Sequence, residues 1–143
     1  MNTDLQNLDL LDLISERHVR LRKISEKLWN ESSDIPISNS EWFILARIYQ
    51  TQQTTISYIS KHVDISRQAV HKFIKRLEEK RLVEISSLEN NKKEKSIQLT
   101  KLGRECIEKN ESLKKELVRK IAEKIGSDQV KWLEEILKLD WGI

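Results

Sequence analysis

Residues 55–101 constrain the fold most strongly, because their apolar pattern changes from a helical period to a strand period. Ile56, Ile59 and Val63 recur at steps of three and four, which predicts a short helix with one apolar face. The pattern then breaks, and Ser66 is placed to cap a second helix. The predicted buried stripe of the second helix contains Val70, Phe73, Ile74 and Leu77.

The opposite face of the second helix is rich in hydrogen-bond donors and positive charge. An α-helix fits the major groove of B-DNA, where Arg can bond guanine and Gln can bond adenine. An amphipathic helix also needs a solvated face when it binds nothing, so this helix alone leaves both interpretations open. The predicted DNA-contacting residues in and before this helix are Thr55, Ser66, Arg67, Gln68, His71, Lys72 and Lys75, and Arg76 lies on the same face.

A β-hairpin is predicted directly after the second helix. Leu82, Val83 and Ile85 begin a strand, residues 89–95 form a polar turn, and residues 97–99 alternate as a returning strand. Such a hairpin has to pack on neighbouring helices, and from there its tip can reach the DNA backbone or minor groove. The predicted tip contacts are Lys92, Lys93 and Lys95.

Positive charge is concentrated in the same segment. Residues 55–101 contain 11 Lys and Arg against 6 Asp and Glu, a net charge of +5, whereas residues 1–54 carry −2 and residues 102–143 carry 0. Attraction to phosphates needs this local concentration more than a high overall charge.

These motifs resemble the MarR-type winged helix-turn-helix regulators. The likeness is carried by the run from Ile65 to Lys72, by residues 77–83, and by Leu99-Thr100 before Leu102-Gly103. It implies a bacterial homodimer that binds pseudo-palindromic operator DNA and represses transcription until a small molecule, an oxidant or another signal weakens binding.

The sequence departs from the family pattern at three places. Family members commonly have Gly where this chain has Asp64 and Arg81, and both positions are expected to be left-handed. The family's Asp-x-Arg at the wing tip is replaced by Asn91-Lys92-Lys93. Lysine keeps a phosphate contact but loses the planar fork of arginine.

The chain ends are predicted to form a dimer. Residues 4–30 form a helix with a leucine-rich stripe, a 26-residue helix capped by Thr100 ends at Gly126, and Ser127 caps a last helix. The expected fold is mainly α with a two-stranded β wing, in which residues 1–36 and 104–143 dimerise and residues 37–103 form the DNA-binding lobe. A partner is expected to cover the apolar C-terminal residues Trp132, Leu139, Trp141 and Ile143.

The helix after Pro36 begins with a capping box formed by Ser38 and Glu41. Its aromatic residues, together with those of the preceding helix, suggest an effector pocket. The alternative is that the aromatics are plain core and that His18 is a hydrogen-bonded core or interface residue. The predicted pocket residues are His18, Trp29, Trp42 and Tyr49.

Other functions have little support in the sequence. The three histidines lie on separate predicted faces without metal-ligand spacing, and there is no Gly-rich phosphate loop or nucleophile elbow, so neither a cofactor nor an enzymatic activity is predicted. Cys106 lies on an apolar stripe, which favours a packed thiol over a redox switch. The absence of apolar runs and of a signal peptide predicts a cytoplasmic protein, on the nucleoid when DNA-bound. A winged-helix protein-interaction module that does not bind DNA is the alternative function.

Overall fold

The computed structural model describes residues 3–88 and 91–143, apart from the side chains of residues 3, 88 and 91–94. The described residues form two compact units, Met1–Glu108 and Lys109–Ile143. A short 3-10 helix, Thr3–Asn7, comes first. The elements that follow are α1 (Leu10–Ser32), α2 (Asn39–Thr51), β1 (Gln53–Thr55), α3 (Ile56–His62), α4 (Arg67–Glu79), β2 (Val83–Leu88), β3 (Asn91–Leu99), α5 (Lys101–Ile125) and α6 (Ser127–Lys138).

The first long helix starts later than predicted. Residues 4–30 were expected to be one helix, but α1 begins at Leu10 because the Asp9 carboxylate accepts a hydrogen bond from the Asp12 amide at 2.9 Å. Such a side-chain cap satisfies an amide that has no partner inside the helix. The separate 3-10 helix is tied to α1 by an ion pair between Asp4 and Arg20 at 2.8 Å.

The start of α2 follows the predicted capping box. The Ser38 hydroxyl accepts from the Glu41 amide at 3.2 Å, and the Glu41 carboxylate accepts from the Ser38 amide at 3.1 Å. Ile44, Leu45 and Ile48 lie on one side of α2 and are completely buried. The helix therefore forms the centre of the core of the first unit.

The sheet has one strand more than the sequence indicated. The predicted two-stranded wing is present as β2 and β3, and β1 pairs antiparallel with the other edge of β3, giving the order β1-β3-β2. Residues 91–95, which were predicted to belong to a polar turn, are part of β3, which begins at Asn91. Ile97 on β3 is completely buried, so the middle strand connects the wing to the core.

The junction between α4 and α5 is compact. Arg81 follows α4 with φ 63°, as expected for a helix end of this type, and its carbonyl accepts from the Thr100 hydroxyl at 2.7 Å. The same hydroxyl accepts from the Gly103 amide at 3.0 Å and so caps α5 as predicted. A Cβ on Gly103 would lie 2.1 Å from the Leu82 carbonyl oxygen, so only glycine fits there.

Two other local predictions were wrong. Asp64 is not among the described residues with positive φ. The non-glycine residues described with positive φ are Arg81 and Gln52, which follows α2 with φ 65°. The last helix is also capped differently. Gly126, with φ 105°, ends α5 as predicted but is itself the N-cap of α6, which makes Ser127 its first helical residue.

Within the second unit, the side chains of α6 are not buried in a core. This helix has no buried residue along its described length. Large side chains on α6 and after it are exposed, among them Trp132 at 67% and Leu139 at 65%. The surface of α5 in this unit instead carries ion pairs, in which Arg119 bridges Glu116 and Glu123.

Candidate nucleic-acid interface

The amphipathic pattern of α4 separates a buried face from a polar face. Val70, Ile74 and Leu77 are buried, and Phe73 is half-buried beneath the Arg76 guanidinium, 5.6 Å from the ring centre. The opposite side is solvated along the whole helix. Its exposed residues are Arg67, Gln68, His71, Lys72, Lys75 and Arg76, which we call the reading face.

Side-chain caps fix the start of α4 and of the helix before it. The Ser66 hydroxyl accepts from the Ala69 amide at 3.1 Å, and the Thr55 hydroxyl accepts from the Tyr58 amide at 3.1 Å. Both residues were predicted DNA contacts, and in this structure both hydroxyls hold helix ends. A capped N-terminus also directs its remaining amide groups towards an anion, which suits a phosphate group.

Part of the reading face lines a cleft of about 230 Å³ between α3, α4 and the wing. Arg67, His71 and Lys75 come from α4, and Lys95 comes from β3. Glu78 is the acidic residue among the residues that line the cleft. The structure therefore brings the predicted Lys95 contact together with α4 in one positively charged cleft.

Lys95 is the predicted wing contact whose side chain belongs to the described part of the structure. The side chains of Lys92 and Lys93 lie outside the described residues, although their backbone belongs to β3. Lys95 is the first residue of this strand with a described side chain, and it is exposed.

Sequence reasoning missed a partly buried ion pair at the C-terminal end of α4. The Glu41 carboxylate is 3% exposed and lies 2.7 Å from the Lys80 ammonium. The same ammonium donates to the Pro36 carbonyl oxygen at 2.6 Å. Glu41 had been assigned only to the capping box, and no local pattern reveals a partner 39 residues away.

The four predicted effector-pocket residues do not gather in one place. Trp29 and Trp42 meet edge to face at 5.0 Å, and Trp29 is buried with its Nε1 donating to the Ile35 carbonyl at 2.7 Å. His18 is exposed, eleven residues before Trp29 and so about 16 Å away along the helix. Tyr49 lines a separate depression of about 460 Å³ with Gln52, Leu99, Arg104 and Glu108.

Cys106 is buried, as expected for a packed thiol. Among the described residues, no group of three or more His, Cys, Asp or Glu is arranged to hold a metal ion. The described helices also include none that is both long and apolar enough to cross a membrane.

Comparison with known proteins identifies the lobe that carries this interface. Residues 37–95 match the model of the MarR family. This segment is a MarR-family domain. It contains the capping box of α2, the reading face and the wing up to Lys95. No curated protein sequence matches the chain.

Several solved structures resemble this chain over about nine-tenths of its length, well beyond residues 37–95. Wild-type MarR from E. coli, in its apo form, superposes with a TM-score of 0.77 at 20% identity, covering 92% of this chain and 95% of that one. FabT from Streptococcus pneumoniae in complex with DNA gives 0.77 at 21% identity, covering 90% of each chain. A MepR variant from S. aureus bound to an oligodeoxyribonucleotide gives 0.66 at 19% identity, covering 92% and 94%. At these identities the likeness establishes the winged helix-turn-helix fold with flanking helices.

Proposed function

We propose that this protein is a DNA-binding transcriptional regulator that reads double-stranded DNA with α4 and contacts phosphates with the wing. The reading face carries the proposal, because it places an arginine and a glutamine in the first turn of an exposed helix, followed by a histidine and lysines. Two of the similar structures, FabT and the MepR variant, were solved with DNA. The MarR-family domain covers the whole reading face.

The side chains of the reading face allow two kinds of DNA contact, one with base edges and one with phosphates. Arg67 and Gln68 are proposed to bond base edges in the major groove, and His71 lies one turn further along the same face. Lys72 and Lys75 are proposed to contact phosphates, which gives affinity without sequence preference. Lys95 is proposed to extend these phosphate contacts from the wing, together with Lys92 and Lys93.

We further propose that the functional form is a homodimer. The exposed apolar side chains of α6 would be covered by a second copy, and residues 1–36 and 104–143 would supply the dimer contacts while residues 37–103 bind DNA. Two-fold symmetry would then present two reading faces to a pseudo-palindromic operator, with half-sites about 34 Å apart. A repressor released by a small molecule or another signal is the regulatory mode expected for such a regulator.

The decisive experiment is selection of bound fragments from the source genome, followed by salt titration of the selected duplex. We expect a steep fall of affinity with salt, and we expect Lys72→Ala to reduce the log–log salt slope by about 0.9. Lys23→Ala, an exposed lysine of α1, is the matched control and should leave the slope unchanged.

Base reading is tested separately from phosphate contact. Arg67→Ala and Gln68→Ala should each relax preference at one position per half-site, by about 1–3 kcal/mol. Failure to select any sequence, with no salt slope to reduce, would instead favour the protein-interaction module, in which the reading face is only a solvated surface.

A further inference from the structure

The two ends of α4 are held very differently. At its C-terminal end, Lys80 bonds to Glu41 and to the Pro36 carbonyl, and the following residue, Arg81, bonds to Thr100. At its N-terminal end, the side chains of Arg67 and Gln68 have no polar partner within the part of the chain that the structure describes. The C-terminal end of α4 is therefore tied by side-chain contacts to distant parts of the lobe, whereas its N-terminal end, which Ser66 caps, leaves the side chains of Arg67 and Gln68 exposed.

The charged groups of the Glu41–Lys80 ion pair are hydrogen-bonded to each other and to the backbone. Both carboxylate oxygens of Glu41 accept from the Lys80 ammonium, at 2.9 and 2.7 Å, and one of them also accepts from the Ser38 amide. Because Glu41 is also the N3 residue of α2, the pair joins the first turn of α2 to the C-cap of α4.

A small rotation of the α4 axis about its C-terminal end displaces the residues at its N-terminal end by a larger distance. Gln68 lies twelve residues before Lys80, which is about 18 Å along a helix. A rotation of about 5° at the C-terminal end would therefore displace the Gln68 side chain by roughly 1.6 Å. Bidentate base contacts tolerate only a few tenths of an ångström in donor–acceptor distance, whereas a flexible lysine can follow a phosphate.

We infer that Glu41 and Lys80 are positioning residues for base reading: the partly buried pair sets the angle at which α4 enters the groove, and so it determines sequence discrimination without touching DNA. This inference rests on the proposed function. A buried ion pair contributes little net stability compared with apolar side chains of the same size, so a role in specifying one arrangement accounts for it better than a role in stability.

The test measures dissociation constants of the full-length chain for two probes at one salt concentration. The first probe is the duplex selected by the wild-type protein, and the second is a scrambled duplex of the same length and composition. Lys80→Met and Glu41→Gln should each reduce the discrimination ratio by about ten-fold or more, since one lost bidentate contact has that effect. Affinity for the scrambled duplex should stay within about two-fold, because the lysines of the reading face are kept.

The opposite charges of the two residues separate positioning from long-range electrostatics. Lys80→Met removes a positive charge and Glu41→Gln removes a negative one, so an electrostatic effect would change affinity in opposite directions. Positioning predicts a loss of discrimination in both variants and no further loss in the double variant, because either change alone already breaks the pair.

Loss of stability is controlled by Leu5→Ala, which removes a buried side chain from the 3-10 helix. Circular dichroism at the assay temperature shows which variants are folded. Glu41→Gln is the milder change, because its amide oxygen still accepts from the Ser38 amide. Equal discrimination in wild type and both pair variants would overturn the inference, and so would an equal loss in Leu5→Ala. If the wild-type chain selects no duplex, the proposed function itself fails.

Discussion

The lobe that contains α2 to β3 and the last helix, α6, bury their apolar side chains to different extents. In the lobe, Ile44, Ile59 and Leu77 come from three helices and are completely buried within one chain. In α6, Leu133, Ile136 and Leu137 lie on one face and are each about half exposed. The lobe therefore has a core of its own, whereas α6 has an apolar face that needs another surface to cover it.

This difference separates two kinds of stability. A substitution in the core of the lobe should change the free energy of unfolding of a single chain. A substitution on the apolar face of α6 should change a free energy of association and therefore depend on protein concentration.

The largest effect is expected for the double substitution Leu133→Ser and Leu137→Ser. Burying two leucine side chains contributes about 3–6 kcal/mol, so the dimer dissociation constant should rise by more than about 100-fold. Sedimentation velocity at micromolar concentration should show a monomer for the variant and a dimer for the wild type.

A matched control lies one position further along the same helix. Glu134→Ser and Lys138→Ser have the same spacing and leave the net charge unchanged, but their side chains are polar and exposed. This control should remain dimeric. A wild-type monomer, or equal behaviour of the two double variants, would contradict the assignment of α6 to the dimer.

The next largest effect is expected for Gly103→Ala in the lobe. The new Cβ would lie 2.1 Å from the Leu82 carbonyl oxygen, and the backbone on both sides would have to move. We expect a destabilisation of about 3 kcal/mol, measured by urea denaturation at several protein concentrations. The control Lys101→Ala, in the exposed first turn of α5, should change stability by less than about 0.5 kcal/mol.

A smaller effect of opposite sign is expected for Arg81→Gly. Arg81 is exposed and has φ 63°, a conformation that costs a residue with a Cβ about 1–2 kcal/mol. Glycine relieves that strain but loses more entropy on folding, so the net stabilisation should be about 0.5–1 kcal/mol. Lys75→Gly, at an exposed position in the middle of α4, should instead destabilise by about 1 kcal/mol. A lower melting temperature for Arg81→Gly would show that the arginine side chain makes a compensating contact.

Features set by neighbouring residues could be predicted from the sequence. Ser38 with Glu41, Ser66 before α4, and Gly126 after α5 are each recognised from a few adjacent positions, and the structure confirms them. The late start of α1 at Leu10 had the same kind of signal in Asp9, which was overlooked.

Features that depend on distant residues could not be predicted in this way. β1 is only three residues long, without apolar alternation, and it is a strand because Gln53–Thr55 pairs with residues 96–98. The Glu41–Lys80 pair likewise depends on the folded lobe. The reading face was predictable because its residues follow the period of one helix. The four proposed effector-pocket residues are divided between α1 and α2, and among them Trp29 and Trp42 are in contact.

The smallest effect is expected for the ion pairs on α5. The hydrogen bond from Arg119 lowers the pKa of Glu116, and Glu116 raises the pKa of Arg119 in turn. Because the folded pKa of Glu116 is depressed, the contribution of the pair is present above the ordinary carboxyl pKa and is lost as the pH falls through the folded value. Arg119→Gln should raise the pKa of Glu116, which an NMR titration of its side-chain carboxyl can follow.

Both Arg119 and Glu116 are exposed, and salt screens the attraction between exposed charges, so this ion pair should contribute little to the free energy of unfolding. The unfolding midpoint of the Arg119→Gln variant should therefore stay close to that of the wild type at physiological salt. Lys114→Gln, which breaks the neighbouring pair with Glu111, should behave in the same way and leave the Glu116 titration unchanged. A large loss of stability in either variant would mean that ion pairs hold this part of the chain. If stability is unchanged, as expected, the main stabilising contribution to α5 and α6 is burial of their apolar side chains against a second copy of the chain.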